Sequence, residues 1–262
     1  MRHTLAVGAI LAALTANAPA KAADLPINAP PPVAVPVSNW TGFYVGANIG
    51  GAWTHTDGTW NPLPLPLLFN ANALTGTNDA SGVAGGFHGG YNWQFGPGFV
   101  AGIEADWTWT SASASFTQTW TFFGTATPVA GSFTTMSTKL NWLASVRGRL
   151  GYLVTPDFLA YVTAGGAWGG VDYAANNFNG PGGGGGYTTA VAFSNIPSGY
   201  VVGGGLEWQM TGKWLLRGEY LFYRLSGANA VGTSAAFPWN PSGYVWSNMN
   251  VNEGRVGASY RF

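Results

Sequence analysis

Apolar side chains alternate with charged or small polar ones along the last thirteen residues, 250–262. One face carries Phe262, Tyr260, Ala258, Val256 and Gly254, and the other carries Arg261, Ser259, Gly257, Arg255 and Glu253. Successive side chains of a β-strand point to opposite faces of the sheet. The period of two therefore predicts a strand with one apolar face and one charged face, and a fold made from such strands.

The same alternation recurs in seven earlier segments and is least regular in the fifth. The eight predicted strands cover residues 42–53, 82–95, 99–110, 139–152, 158–170, 200–210, 213–225 and 250–262. Four long segments, 54–81, 111–138, 172–197 and 226–249, connect them in alternation with three short turns. Long connections at one end and short turns at the other are typical of an up-and-down barrel, whereas Greek-key sandwiches do not produce this alternation.

The composition indicates that this barrel lies in a membrane. Only 8% of the residues are charged, against about 25% in typical soluble domains. Apart from the N-terminus, no apolar run approaches the roughly 20 residues of a membrane-spanning helix. Lipid accommodates only helices and closed barrels, because every backbone polar group needs a partner within the protein. We therefore predict an all-β fold, an eight-stranded antiparallel up-and-down transmembrane β-barrel.

Large aromatic residues fall into two groups along the predicted strands. The group predicted at the periplasmic rim is Phe43, Trp93, Phe99, Tyr152, Phe158, Trp208, Trp214 and Phe262. The group predicted toward the outer rim is Trp53, Trp107, Trp109, Trp142, Trp168 and Phe222. Aromatic girdles are expected at the two membrane interfaces, which favours a barrel with short periplasmic turns and long outer loops.

The N-terminal residues read as a targeting segment followed by a linker. Arg2 and His3 precede an apolar run, and Ala20-Lys21-Ala22 supplies small residues for cleavage, so residues 1–22 are predicted to be a secretory signal peptide. Residues 23–39 contain five prolines and are predicted to form an extended periplasmic linker. Residues 40–262 are then the predicted outer-membrane barrel domain.

Several motifs, taken in order, resemble the small immunogenic outer-membrane proteins of alphaproteobacteria, a porin-like family. They are Trp-Thr-Gly-Phe-Tyr-Val-Gly at 40–46, Gly-Gly-Gly-Leu-Glu-Trp at 203–208, Glu219-Tyr220, and Gly-Ala-Ser-Tyr-Arg-Phe at 257–262. The ending, with Tyr260 and Phe262, resembles the C-terminal signal by which the barrel-assembly machinery recognises such proteins. The resemblance covers about residues 40–262 and implies an abundant eight-stranded surface barrel, but it implies nothing about a ligand of the outer loops.

The charges on the inward faces form the candidate site. The acids are Glu104, Asp106, Glu207, Glu219 and Glu253, and the bases are Lys139, Arg147, Arg149, Arg217, Arg255 and Arg261. Isolated buried charges are costly, so these side chains are expected to pair across strands. Since an eight-stranded barrel is only wide enough for its side chains to fill, we expect a hydrated network that plugs the lumen. A narrow ion pathway through that network is the alternative.

The sequence does not predict a catalytic site, a metal site or a cofactor. His55 falls in the first predicted outer loop, and His88 faces the lumen in mid-strand, away from any rim where a nucleophile, base and orienting group could meet. We expect His88 to be a hydrogen-bonded lumen residue. With 0 Cys and no paired histidines, there is no metal-ligand spacing. A net charge of +0 without a basic cluster argues against nucleic acid.

Two function classes follow. The first is a surface barrel with a structural envelope role and at most weak porin activity. The second is a receptor or adhesin for haem, a sugar or a host surface, using loop aromatics at Trp60, Phe69, Trp239, Tyr244 and Trp246. The expected partners are the assembly machinery, outer-membrane lipid and lipopolysaccharide. Arg224, on the outward phase of the seventh strand, is predicted to meet lipid phosphates. The sequence leaves the oligomeric state open.

Overall fold

The computed structural model describes residues 39–62, 72–183, 186–235, 238 and 241–262. The predicted signal peptide and nearly all of the predicted linker lie outside these residues, as do Phe69 and Trp239 of the predicted outer loops. Within the described part of the chain, no helix is long and apolar enough to cross a bilayer.

The described residues form twelve β-strands and one short 3₁₀ helix, Pro181–Gly183. The strands are β1 (Gly42–Pro62), β2 (Leu74–Phe95), β3 (Phe99–Thr110), β4 (Ser113–Thr121), β5 (Pro128–Thr155), β6 (Phe158–Asn179), β7 (Tyr187–Asn195), β8 (Ser198–Thr211), β9 (Trp214–Leu225), β10 (Ala228–Gly232), β11 (Ser242–Trp246) and β12 (Met249–Arg261).

Eight of these strands close into an antiparallel ring in the order β1–β2–β3–β5–β6–β8–β9–β12. The ring closes through β1, which pairs with β2 on one side and with β12 on the other. The C-terminus and the short turns lie at one end, where Arg261 N donates to Lys213 O at 2.8 Å and Phe262 N donates to Phe43 O at 3.0 Å. This ring confirms the predicted eight-stranded barrel, and its short-turn end is the predicted periplasmic end.

The exterior of the ring is apolar, as a lipid-facing surface requires. Phe43 is 66% exposed, Ile103 67% and Val162 64%, although each is a large hydrophobic side chain. Aromatic residues of both predicted belts lie on this exterior, and Trp107 and Trp142 of the outer belt stack with ring centroids 4.4 Å apart. The alternation that predicted the strands therefore separates a lipid-facing surface from the lumen.

The long segments predicted as outer loops contain strands instead. β1 and β2 stay paired as far as Trp60↔Leu74, and β5 and β6 as far as Phe133↔Phe178. Strands β4, β7 and β11 pair with β5, β6 and β1, and β10 pairs with β11. These extensions and added strands form what we call the outer tier, which continues the barrel beyond the outer aromatic belt.

The strands of the outer tier were not predicted because their apolar side chains point inward, whereas those of the ring in the membrane point outward. On β1, the outward side chains change from apolar at Trp53 to polar at His55, Asp57 and Thr59, while Trp60 points inward and is 2% exposed. A pattern defined by apolar side chains on the outward phase therefore stops at the belt. The alternation continues with its apolar phase on the other face.

A β-bulge in β5 adds a second reversal. Leu140 lies opposite Val171 and Trp142 opposite Gly170, so Asn141 is an extra residue in β5. Two residues facing one on the neighbouring strand shift the in-and-out phase beyond the bulge. Consequently Lys139 points outward and is exposed, whereas Leu140 points inward and is 1% exposed. The prediction that Lys139 belongs to the lumen was wrong, because a period of two was extended across the bulge.

The interior of the outer tier contains a hydrophobic core beside buried, hydrogen-bonded polar side chains such as Thr134 and Asn177. Its largest buried side chains are Trp60, Trp120, Met136, Leu140, Tyr173, Tyr223, Tyr244 and Trp246. Trp60 and Trp120 stack with centroids 4.6 Å apart, and Tyr173 lies 5.1 Å from Trp246. This apolar filling holds the added strands against the extended ring strands, because each strand contributes an inward hydrophobic face.

A smaller apolar cluster closes the periplasmic end of the lumen. Trp40 is fully buried against Val100, Leu159 and Leu215. Its indole Nε1 donates to Pro156 O at 3.0 Å, and its backbone nitrogen donates to Gln94 Oε1 at 2.9 Å. The first residue of the predicted barrel domain thus packs into the end of the lumen.

Candidate functional site

Nine of the predicted lumen charges converge between the two apolar clusters and form what we call the charged layer. Its members are Glu104, Asp106, Arg147, Arg149, Glu207, Arg217, Glu219, Glu253 and Arg255. Strands β3, β5, β8, β9 and β12 supply them. The side chains are between 0% and 3% exposed. Five carboxyls and four guanidiniums therefore share a space without bulk water.

Glu104 on β3 is the centre of one half of the layer. Arg217 reaches across the lumen from β9 and donates to both carboxylate oxygens, at 3.0 and 2.7 Å. Arg147, directly opposite on β5, donates to Oε1 at 2.5 Å, and the Tyr44 hydroxyl donates to Oε2 at 2.6 Å. Two-pronged guanidinium–carboxylate pairs are the strong form of this interaction, so Glu104 ties together strands on opposite sides of the barrel.

Glu219 on β9 is the centre of the other half of the charged layer. Arg147 donates to its Oε1 at 2.9 Å, and Arg255 Nε donates to its Oε2 at 2.8 Å. The Tyr161 hydroxyl adds a third donor at 3.1 Å. Because Arg147 contacts both Glu104 and Glu219, the two halves form one continuous network.

Arg149 and Glu207 lie at the periplasmic side of the layer. Arg149 Nη2 donates to Glu207 Oε2 at 2.6 Å, and its guanidinium carbon lies 4.1 Å from the centroid of the Tyr161 ring. A guanidinium over an aromatic face gains a cation–π interaction. Tyr161 also belongs to the apolar cluster around Trp40, so this pair joins the charged layer to the periplasmic closure.

Asp106 and Glu253 lie at the outer side of the layer. Asp106 is 3.1 Å from Arg147 and 3.3 Å from Arg255. Glu253 accepts a hydrogen bond from Tyr223 at 3.0 Å and lies 3.5 Å from Arg255. Tyr223 itself belongs to the core of the outer tier, so this hydrogen bond joins the network to that core.

Two predicted members lie apart from the layer. Lys139 is on the exterior for the reason given above. Arg261 is inward at the periplasmic end, where it donates to Gly212 O at 2.9 Å, and in the described part of the chain no carboxylate lies within 4.0 Å of it. Its role is to hold the β8–β9 turn rather than to pair with an acid.

Three tyrosines were missed as members of the site, although Tyr44, Tyr161 and Tyr223 fall on the inward phase of their strands. For Tyr44 and Tyr161, the glycines opposite them, Gly90 and Gly205, were the available signal, whereas Tyr223 lies opposite Val201 and Val251. A side chain at Gly90 would place its Cβ 2.6 Å from the Tyr44 hydroxyl, and one at Gly205 would place it 2.7 Å from the Tyr161 hydroxyl. Inward glycines therefore make room for the rings that cross the lumen.

His88 has the predicted role of a hydrogen-bonded lumen residue. Its Nε2 lies 2.8 Å from Ser259 Oγ and its Nδ1 lies 3.3 Å from Asn48 Nδ2. His55 instead lies on the exterior, 2.7 Å from the Asp79 carboxylate. Over the described ranges, no group of three or more histidines, cysteines or carboxylates is placed to hold a metal ion.

The predicted assembly signal, Tyr260 and Phe262, lies at the edge of the aromatic belt at the periplasmic rim. Tyr260 lies 5.5 Å from Phe262 and 5.4 Å from Trp214, in edge-to-face contacts. Phe262 is 69% exposed, on the lipid-facing side. Recognition by the assembly machinery stays a prediction, as does the contact of the outward-facing, exposed Arg224 with lipid phosphate.

Comparison with known proteins identifies the family. Residues 8–262 match the family model described as outer membrane protein beta-barrel domain. The 31 kDa outer-membrane immunogenic protein of Brucella melitensis biotype 1 is 31% identical over 261 residues, which cover 97% of this chain and 98% of the relative. The 22 kDa outer membrane protein of Rhizobium leguminosarum bv. viciae is 29% identical over 187 residues, covering 71% and 65%.

Solved structures with similar chains include the outer membrane protease OmpT of Escherichia coli, at 12% identity and a TM-score of 0.48, covering 84% of this chain and 97% of that one. Ail, the attachment invasion locus protein of Yersinia pestis, has 14% identity and a TM-score of 0.36, covering 85% and 99%. From the family model and the Brucella relative, this chain belongs to the outer-membrane β-barrel family, and it is a protein of the cell outer membrane.

Proposed function

We propose that this protein is a structural surface barrel of the outer membrane, with at most weak porin activity and no enzymatic activity. The observation that carries the proposal is the apolar core that lies directly outside the charged layer. An ion that crossed the layer would next meet the packed rings of Trp60, Trp246 and Tyr173, which offer it no replacement for water.

Two further features support a closed lumen. The charged layer has its guanidiniums bound to carboxylates from opposite walls, so widening it means breaking several buried ion pairs at once. Trp40 packs at the periplasmic end with two hydrogen bonds to neighbouring strands and turns. An ion pathway therefore needs three separate layers to open.

Most of the aromatic side chains that the receptor alternative assigns to ligand binding are buried. Trp60, Tyr244 and Trp246 were expected in exposed loops, but they are 2%, 0% and 1% exposed and fill the core of the outer tier. Those three rings hold the structure together, so a ligand has no access to them without unfolding that tier. Phe69 and Trp239 lie outside the described residues.

The proposal is tested by single-channel recording of the refolded barrel in a planar bilayer. We expect no stable openings from the parent protein, nor from a variant with Arg147→Ser and Arg149→Ser, because apolar layers remain on both sides of the charges. A third variant, Trp60→Ala with Trp246→Ala, removes two buried indole rings from the core of the outer tier and leaves the charged layer unchanged.

Heat-modifiable migration in gel electrophoresis would establish that each variant is folded. Stable openings in the folded parent whose ion selectivity changes in the arginine variant would contradict the proposal, because the charged layer would then be the conducting filter.

A further inference from the structure

Strands β4, β5, β6 and β7 of the outer tier lie side by side and form an outward groove of about 700 Å³. Their register aligns the outward side chains in rows across all four strands. The first row is Ser113, Lys139, Asp172 and Ser194, and the second is Ser115, Ser137, Ala174 and Ala192. The third row is Thr117, Thr135, Asn176 and Ala190, where a cavity of about 290 Å³ adjoins the groove.

The composition of the rows is unusual for a protein exterior. Apart from Lys139, Asp172 and Asn176, every outward side chain in them is Ser, Thr or Ala. Such short side chains leave the sheet surface open and supply hydroxyl groups that both donate and accept hydrogen bonds. The groove is therefore a shallow polar surface with one cation, Lys139, and one anion, Asp172, at one end.

That cation lies beside one anion, Asp172, which attracts it from beyond ion-pair distance. Asp172 lies directly opposite Lys139, yet its carboxylate accepts hydrogen bonds from Ser194 at 2.6 Å and Asn141 at 2.8 Å. These bonds hold the pKa of Asp172 below its usual range. Lys139 forms no ion pair within 4.0 Å in the described part of the chain.

The bulge residue Asn141 contributes twice to this arrangement. It turns Lys139 outward, and its side-chain amide donates to Asp172 Oδ2 at 2.8 Å, one of two hydrogen bonds that hold that carboxylate in place. Bulges commonly redirect a side chain at the rim of a barrel. The bulge here places the ammonium of Lys139 in the groove.

The groove continues directly from the lipid-facing surface. Trp142 of the outer belt follows Lys139 by three residues on β5, which is about 10 Å of strand. Aromatic belts lie at the level of the lipid headgroups, so Lys139 lies at the level of the headgroup phosphates or just beyond them. The second and third rows extend further from the membrane.

We propose that this groove binds the phosphorylated sugar headgroup of a glycolipid of the outer leaflet. The phosphate binds Lys139, the sugar rings lie over the second and third rows, and the acyl chains lie along the tryptophan belt around Trp107 and Trp142. Charge-assisted contact with the phosphate supplies affinity. The hydroxyls of the rows select a sugar over a glycerol headgroup.

The lysine content of the chain allows a direct test. Besides Lys21 in the predicted signal peptide, the chain has only Lys139 and Lys213. Lys213 is exposed at the periplasmic β8–β9 turn and serves as the internal control. The protein purified from outer membranes is stripped of lipid and returned to phosphatidylethanolamine vesicles, with or without deep-rough lipopolysaccharide, and acetylation of each amine is followed by mass spectrometry.

We expect lipopolysaccharide to slow acetylation of Lys139 about tenfold, since one charge-assisted contact contributes on the order of 1.5 kcal/mol, and to leave Lys213 unchanged. Phosphatidylglycerol of equal total charge should protect Lys139 much less. Equal protection by both lipids, or protection by neither, would overturn the proposal. Protection by soluble acidic peptide alone would do so too, by assigning the groove to a protein partner.

A variant that fills the groove distinguishes binding of the sugar from binding of the phosphate. Ser137→Trp fills the second row and retains Lys139, and we expect it to abolish the extra protection given by lipopolysaccharide over phosphatidylglycerol. Thr77→Trp, on the exposed exterior of β2 in the same tier, is the matched control and should retain it. Heat-modifiable migration checks that both variants fold. Full protection in the folded Ser137→Trp variant would show that the rows bind no sugar.

Discussion

Arg149 and Glu207 show what a single residue of the charged layer contributes. Their ion pair of 2.6 Å is buried between the Tyr161 ring and the rest of the network. Bringing both charges out of water is costly, and removing one partner leaves the other buried without compensation. The pair therefore favours one closed arrangement of the lumen rather than adding much net stability. The free energy of unfolding falls when only one of the two partners is removed.

We expect Arg149→Met and Glu207→Gln each to lower the free energy of unfolding by about 3–5 kcal/mol. The double variant should be less destabilised than the sum of the two by about 0.5–3 kcal/mol, because the orphaned charge is then gone. Urea unfolding in lipid vesicles, followed by tryptophan fluorescence, measures all three. Lys213→Met, an exposed cation, is the control and should change little. Strict additivity would mean that the two side chains act independently.

The bulge at Asn141 is the decisive feature at the scale of the element. On one side of it β5 turns Arg147 and Arg149 into the lumen, and on the other side it turns Leu140 into the outer core. Without the extra residue, the same strand would place Lys139 in that core and Leu140 in water. One inserted residue thus lets a single strand of 28 residues serve both tiers.

Cysteine labelling tests the bulge, since the chain has 0 Cys. We expect Lys139→Cys to react with a maleimide in the folded, lipid-stripped protein, because position 139 faces outward above the aromatic belt. Leu140→Cys should react only after unfolding. Labelling of position 140 and protection of position 139 would show that β5 keeps its simple alternation and that the bulge is absent.

The extent of sequence-based prediction follows from this element. Alternation is a local property, so the ring strands and the inward phase of Glu104, Arg147 and Glu219 could be predicted. The bulge has no comparable local signal, and Lys139 was therefore assigned to the wrong face. Contacts such as Arg217 with Glu104 join strands that are not neighbours in the sheet, and their pairing depends on how the closed barrel brings its walls together.

At the scale of the whole molecule, the protein consists of two tiers with opposite polarity. The ring within the membrane has an apolar exterior and a charged interior. The outer tier has a largely polar exterior, and its interior combines an apolar core with buried polar side chains such as Thr134 and Asn177. The change occurs at the aromatic belt, which coincides with the end of the predicted strands, and this explains why composition and alternation revealed only the tier in the membrane.

Leucine truncation tests this division on one strand. We expect Leu140→Ala to lower the free energy of unfolding by about 2–5 kcal/mol, because it opens a cavity in the outer core. Leu150→Ala, on the lipid-facing side of the same strand and 52% exposed, should cost much less. Urea titration of both variants in vesicles gives the comparison. A larger effect of Leu150→Ala would mean that the outer tier has no packed core.

The strands of the outer tier also determine what an antibody meets at the cell surface. Over the described part of that tier, Thr75, Thr59 and Val245 are neighbours in space and come from three different strands. An epitope on such a surface is assembled from distant parts of the chain, at spacings fixed by the pleat of the sheet. Short linear peptides do not reproduce it, and unfolding the barrel removes it.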